Sequence, residues 1–226
     1  MKLFRGKEAL IQGAMCVKPS IYTPLGTIEI SLVVSSEYYL PNQCSQLKHG
    51  GSLNQYYYDS FDCELVLCNL NHSHASHQEV EGYWGAVFRI KPNTNHQIIT
   101  CSVSASWKEG YNWEVYGADT GENLEAVEYE NEQYHLHIGT QDAPLIMGKR
   151  KQCDMNTKSL DLDSVRYSIV LPTDQGIEIS MAHMDSHEIY QVHFLIAWNR
   201  KIEEDISTWL AVDQPTKEIL KVEGVW

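Results

Sequence analysis

Three histidines carry the sharpest chemical pattern in the chain. His135 and His137 flank Leu136 in an alternating stretch, Gln133 to Ile138. Residues two apart on a strand share a face. Both imidazoles therefore leave the side opposite Tyr134, Leu136 and Ile138. Two imidazoles so placed can share one divalent metal, which needs a further ligand from a neighbouring strand. His193 is the candidate for that third ligand. Glu178, opposite it, would be a further ligand or the group that orients the ring. The competing reading is that these histidines simply lie on the wet face of a sheet.

A second pattern is aromatic. The chain has 13 Tyr and 6 Trp against 4 Phe. That bias favours rings with a polar handle, which stack on flat apolar faces and hydrogen-bond at their edges. Trp107, Tyr111, Trp113 and Tyr116 gather around one turn, and Tyr56, Tyr57 and Tyr58 form a second cluster. Such rings line ligand pockets and sugar platforms. Here the competing reading is packing at the core and its edges.

Weaker patterns follow. His72, His74 and His77 crowd a polar loop, a composition that binds metals loosely. Asp161 and Asp163, with Asp154 and Asn156 upstream, offer oxygen ligands of the kind calcium uses. They lack the glycine and closing glutamate of an EF-hand loop. No Gly-x-Ser-x-Gly elbow, P-loop or dinucleotide fingerprint occurs. Metal-free acid–base chemistry could use Glu178 with His193, or a tyrosine with a carboxylate.

The elements that must hold these groups read as strands. From Val165 to Trp198 the chain makes three strand-like runs. Val165, Tyr167 and Ile169 share one side of the first, and Ile177, Ile179 and Met181 one side of the second. Tyr190 to Trp198 is apolar on both sides, so that strand sits centrally or under a covering segment. Matching apolar sides pairs Met181 with Tyr190, Ile179 with Val192 and Ile177 with Phe194, and sets Glu178 opposite His193. In the first turn Ile169 meets Ile177, leaving Leu171 to Gln175 as the loop. Ile206 to Val212 alternates again and is expected as a fourth strand.

Upstream, Ile28, Ile30, Leu32 and Val34 mark a half-buried strand. Cys63 to Leu70, Tyr83 to Ile90 and Gln97 to Trp107 are strands too, with Tyr111 to Tyr116 as the hairpin partner of the last. Asn42 to Asn54 reads as a loop and the acidic run from Asp119 to Glu132 as a solvated connection. Ala143 to Met147 and Lys217 to Val222 read as short strands. The expected fold is all-β, one domain over residues 1–226: an antiparallel two-sheet sandwich of jelly-roll type, or a flattened barrel.

Composition narrows the function. A content of 43% hydrophobic and 21% charged residues supports a real core. The net charge of −13 argues against nucleic acid as a partner. No apolar run reaches the ~20 residues of a membrane span. Charges at Lys2, Arg5, Lys7 and Glu8 break any signal-peptide core, which points to a cytoplasmic protein. The 6 cysteines are then expected as free thiols. Cys63 and Cys68 have opposite strand parity, and Cys101 reads as a small buried hydrophobe.

Two functions fit. The first is a binding module for a small molecule or glycan, held on Tyr- and Trp-lined loops or on a concave sheet face. The second is an enzyme working inside the sandwich. It would use a divalent metal on His135, His137 and His193, or lyase-, isomerase- or cyclase-like acid–base chemistry without one.

Overall fold

The computed structural model describes residues 17–47, 49–71, 80–93, 98–146, 169–184, 189–202 and 205–223. Two antiparallel sheets stack face to face, and neither closes into a barrel. The six-stranded sheet holds β1 (Ser20–Thr23), β2 (Gly26–Val34), β3 (Glu37–Tyr39), β8 (Ile98–Trp107), β12 (Val170–Thr173) and β13 (Gly176–Met184). Its order is β1-β2-β8-β13-β12, with β3 paired to β2. The eight-stranded sheet runs β4 (Gln43–Gln46), β5 (Ser52–Tyr57), β6 (Phe61–Asn69), β7 (Gly82–Pro92), β14 (Tyr190–Arg200), β11 (Tyr134–Gln141), β10 (Leu124–Glu130) and β9 (Val115–Thr120). Two short helices, α1 (Ser207–Val212) and α2 (Thr216–Glu223), follow β14.

Alternation explains the space between the sheets. Ile28, Ile30, Leu32, Cys101, Val103, Ile177 and Ile179 enter it from one side, and Leu65, Phe88, Phe194, Ile196, Leu136 and Ile138 from the other. A second apolar layer lies beneath the helices. There Val66, Cys68, Val87, Leu195 and Ala197 meet Ala211, Val212, Ile219 and Leu220. The eight-stranded sheet is thus the middle of three layers. Its central strand β14 is covered on both sides, as its two apolar faces require. Cys63 and Cys68 fall in different layers, as their parity demands.

Several expectations are corrected. Strands β13 and β14 do not pair: β13 lies between β8 and β12, and β14 between β7 and β11. Ile177, Ile179, Val192 and Phe194 still share one core, but they reach it from opposite sheets. The β12–β13 turn is tighter than expected. Thr173 pairs with Gly176, and the carbonyl of Ile169 accepts from the N–H of Ser180 rather than lying opposite Ile177. Gly176 makes this turn possible. Its φ is +142°, and a Cβ there would sit 2.0 Å from the carbonyl oxygen of Ala105.

The segments expected as strands at 206–212 and 217–222 are helical. In α1 the buried residues are Thr208, Ala211 and Val212; in α2 they include Thr216, Ile219 and Leu220. Both sets follow the i, i+3, i+4 spacing of a helix face. Residues 143–146 make a helical turn, started by Asp142, whose Oδ1 accepts from the N–H of Leu145 at 2.8 Å. The acidic run is not a loose connection but the β9–β10 hairpin. Its glutamates 128 and 130 alternate with buried Val127 and Tyr129. Residues 42–54 form the β4–β5 hairpin, turning at Gly50 with φ +84°. Residues 108–114 cross from one sheet to the other, so Tyr111 to Tyr116 is no hairpin partner of β8.

Candidate functional site

One end of the sandwich is built by two copies of the same turn. Thr-Pro-Leu-Gly joins β1 to β2, and Thr-Asp-Gln-Gly joins β12 to β13. In each, the threonine hydroxyl donates to the glycine carbonyl, at 2.9 Å for Thr23 and 3.1 Å for Thr173. Each also accepts an N–H from the residue two further on. Strands β2 and β13 flank β8, so both turns frame its last residue, Trp107. The N–H of Trp107 donates to Gln175 O at 2.8 Å, and Asn112 N–H to Leu25 O at 2.7 Å. These bonds fix the crossing segment that carries Tyr111 and Trp113.

The four aromatic residues singled out from sequence come together here, around a fifth, Tyr129. Trp107 meets Tyr129 edge-on at 5.2 Å, and Trp113 lies 5.2 Å from the same ring. Tyr116, paired with Tyr129 across the β9–β10 ladder, is 5.7 Å away. Tyr111 stacks on Trp113 at 4.7 Å with 11° between the planes. Trp107 and Tyr129 are buried, whereas Tyr111 and Tyr116 are each 37% exposed. The cluster therefore has a packed base and a partly open rim.

Its polar atoms are unevenly satisfied. Tyr129 Oη donates to Thr173 O at 3.2 Å. Burial pushes its phenol well above the ordinary range; Tyr116 and Asp174 add to the rise, and the nearby Trp107 indole offsets part of it. That indole N–H still makes no hydrogen bond of acceptable geometry, and neither does the buried Nε1 of Trp113. The part-exposed rings and hydroxyls of Tyr111 and Tyr116 suit a ligand with one apolar face and a polar edge.

The histidines lie elsewhere, on the face of the eight-stranded sheet that the helices cover. His135, His137 and His193 are at most 4% exposed. His137 Nδ1 is 2.9 Å from Thr208 Oγ1 in α1, and His193 Nδ1 is 2.8 Å from Thr216 Oγ1 in α2. Each threonine precedes by three and four residues the apolar pair that seats its helix. Beneath those pairs the strands are bare. A Cβ on Gly139 would come within 2.7 Å of Val212, and one on Gly85 within 2.4 Å of Ile219. The repeated unit Thr-x-x-apolar-apolar, set on a histidine and a glycine, docks both helices. Its spacing is visible in the sequence, at 208–212 and 216–220, but period-two matching passes over it.

Burial pulls the His137 imidazole down to about 4, with His135 adding to the effect. His135 is lowered chiefly by burial, while Asp205 and Glu130 draw it part of the way back. Its Nε2 stands 3.6 Å from Asp205 Oδ2 and makes no hydrogen bond. Asp205 is itself held by Ser207 and Asn199. The His135 and His137 rings are 6.3 Å apart. His193 is on the same face but does not join them. His137 pairs with Ala197, four residues along β14, a separation of ~13 Å at strand rise. Glu178 is not opposite His193; it pairs with Ser104 and Leu171 in the other sheet. Among the described residues no three His, Cys, Asp or Glu side chains are placed to hold a metal ion.

Between the sheets, the buried described residues include neither a carboxylate nor an imidazole. His72, His74, His77 and the carboxylates at 154–163 lie outside the described residues. No described helix is long and apolar enough to cross a membrane. Scans against protein-family models and against curated proteins return no match to this chain.

Proposed function

We propose that this chain is a ligand-binding β-sandwich whose ligand lies on the aromatic end of the molecule. The observation that carries the reading is the convergence of Trp107, Tyr111, Trp113 and Tyr116 on Tyr129, with Tyr111 and Tyr116 left part-exposed at the rim. The ligand class that fits is a small molecule with a flat apolar face and hydroxyls at its edge, such as a sugar ring. Stacking would fall to Tyr111, backed by Trp113, and edge contacts to the hydroxyls of Tyr111 and Tyr116.

Tryptophan fluorescence, followed during titration with hits from a glycan array, tests this directly. Expected are reproducible hits whose affinity falls at least tenfold in Trp113→Ala and in Tyr111→Ala. An array without hits, or hits indifferent to both substitutions, would overturn the reading.

A further inference from the structure

Across β4, β5, β6, β7 and β14 the outer face of the eight-stranded sheet carries a row of hydrogen-bonding side chains. Gln43, Gln55, Glu64, Arg89 and Gln191 are successive Cα partners across β4, β5, β6, β7 and β14. All five lie on the face opposite the sandwich core, because their strand neighbours Tyr56, Cys63, Leu65, Phe88, Ile90, Tyr190 and Val192 fill that core. A row of this kind is usually a solvated surface. Here Glu64 is only 2% exposed, and its Oε2 is buried without a hydrogen-bond partner. Its Oε1 accepts from Gln55 Nε2 at 3.3 Å, and Arg89 Nε donates to Gln191 Oε1 at 2.9 Å.

We propose that this row is a binding site for a polyhydroxylated chain, an oligosaccharide laid across the strands. The geometry favours a chain over a compact ligand. Five side chains at strand spacing span ~19 Å in a line. Each end of the line is an amide, which donates and accepts at once and so matches a pair of neighbouring hydroxyls. The floor of the row holds the buried, unmatched oxygen of Glu64, an acceptor short of a donor. Beside it, Tyr57 is 45% exposed and offers a ring for a sugar face. Burial raises the Glu64 carboxyl, Gln55 and Arg89 restrain that rise, and Asp62 adds to it. A less ionised Glu64 suits neutral sugars, while Arg89 suits uronates; hydroxyl recognition is common to both.

This site is separate from the aromatic end, and the test keeps the two apart. The full chain carrying Tyr111→Ala, which weakens the aromatic end, is titrated calorimetrically with neutral and with uronic-acid oligosaccharides of one to six units. Expected is affinity that rises at least tenfold from dimer to tetramer and falls at least tenfold in both Gln55→Ala and Gln191→Ala. In the same background Glu64→Gln should weaken binding while leaving the melting temperature near that of its parent. Tetramer binding by the neutral series, the uronate series or both supports the proposal and identifies the sugar class. No binding in either series overturns it. So does a monomer bound as tightly as a tetramer, or tetramer binding that both glutamine variants leave intact.

Discussion

The two faces of the eight-stranded sheet are made by the same residues in alternation, yet they are stabilised in different ways. Its inner face is Leu65, Phe88, Phe194, Ile196, Leu136 and Ile138, and needs only shape and apolar area. The outer face buries His135, His137 and His193 on the side where the helices dock, and Glu64 beside Gln55 and Arg89. Each of those polar groups needs its own partner, because an unmatched buried polar atom costs as much as a hydrogen bond gains. Inner-face contacts are interchangeable, whereas outer-face contacts are individual. Adjacent residues on β14 put the difference in one place: Phe194 faces inward and His193 outward.

The largest effect is expected on the inner side. Phe194 is fully buried. Phe194→Ala should cost about 3–5 kcal/mol in denaturant unfolding, by lost transfer energy and a residual cavity. A loss below about 1 kcal/mol would mean that the two sheets are not closely packed there.

Acid should act through His137, on the outer face. His137 titrates near 4 when folded, against about 6.5 in an unfolded chain, so the unfolded state takes up its proton first. The stability that His137 contributes is therefore full above about pH 6.5, falls as the pH drops toward 4, and stops falling below that. The loss is about 3 kcal/mol over that window from this one residue. Unfolding measured at pH 7, 5.5 and 4 should show it, and His137→Gln should flatten the curve. An equal slope in His137→Gln would place the acid sensitivity in other groups.

The helix docking pairs come next. Thr208→Val and Thr216→Val keep shape but leave His137 Nδ1 and His193 Nδ1 without the hydroxyl. Each should cost about 1–3 kcal/mol. Hydrogen exchange should quicken in α1 for the first and in α2 for the second. Uniform change across the inner strands would contradict separate docking.

These contrasts also explain what the sequence could disclose. Period-two alternation announces which side of a strand meets the core, because one side of Ile28–Val34 or Ile177–Met181 in the six-stranded sheet is apolar throughout. It does not choose partners. Ile179 and Val192 satisfy apolar matching equally well as neighbours in one sheet or as opposites across a core, and the molecule uses the second arrangement. The aromatic end was legible because Trp107, Tyr111, Trp113 and Tyr116 are close in sequence. Tyr129 was not, since only the β9–β10 pairing brings it there. Helices of six and eight residues are short enough to imitate strands; Ile206, Thr208, Leu210 and Val212 alternate by coincidence with the true i, i+3, i+4 face.

The smallest effect is the one that separates the two pairings most cleanly. If β13 and β14 were neighbours, Glu178 would face His193 and hold its imidazole protonated to higher pH. In the structure Glu178 lies on the outer side of the six-stranded sheet, against Ser104 and Leu171, with its Oε1 accepting from Ser180 Oγ at 3.3 Å. His193 is beyond the core, on the far face of the other sheet, bonded to Thr216. Glu178→Ala should therefore change stability by less than about 0.5 kcal/mol, as surface substitutions do. It should also leave the His193 ring resonances unmoved through a pH titration. A shift in that titration would restore the pairing that apolar matching suggests, and would place both residues on a single sheet face.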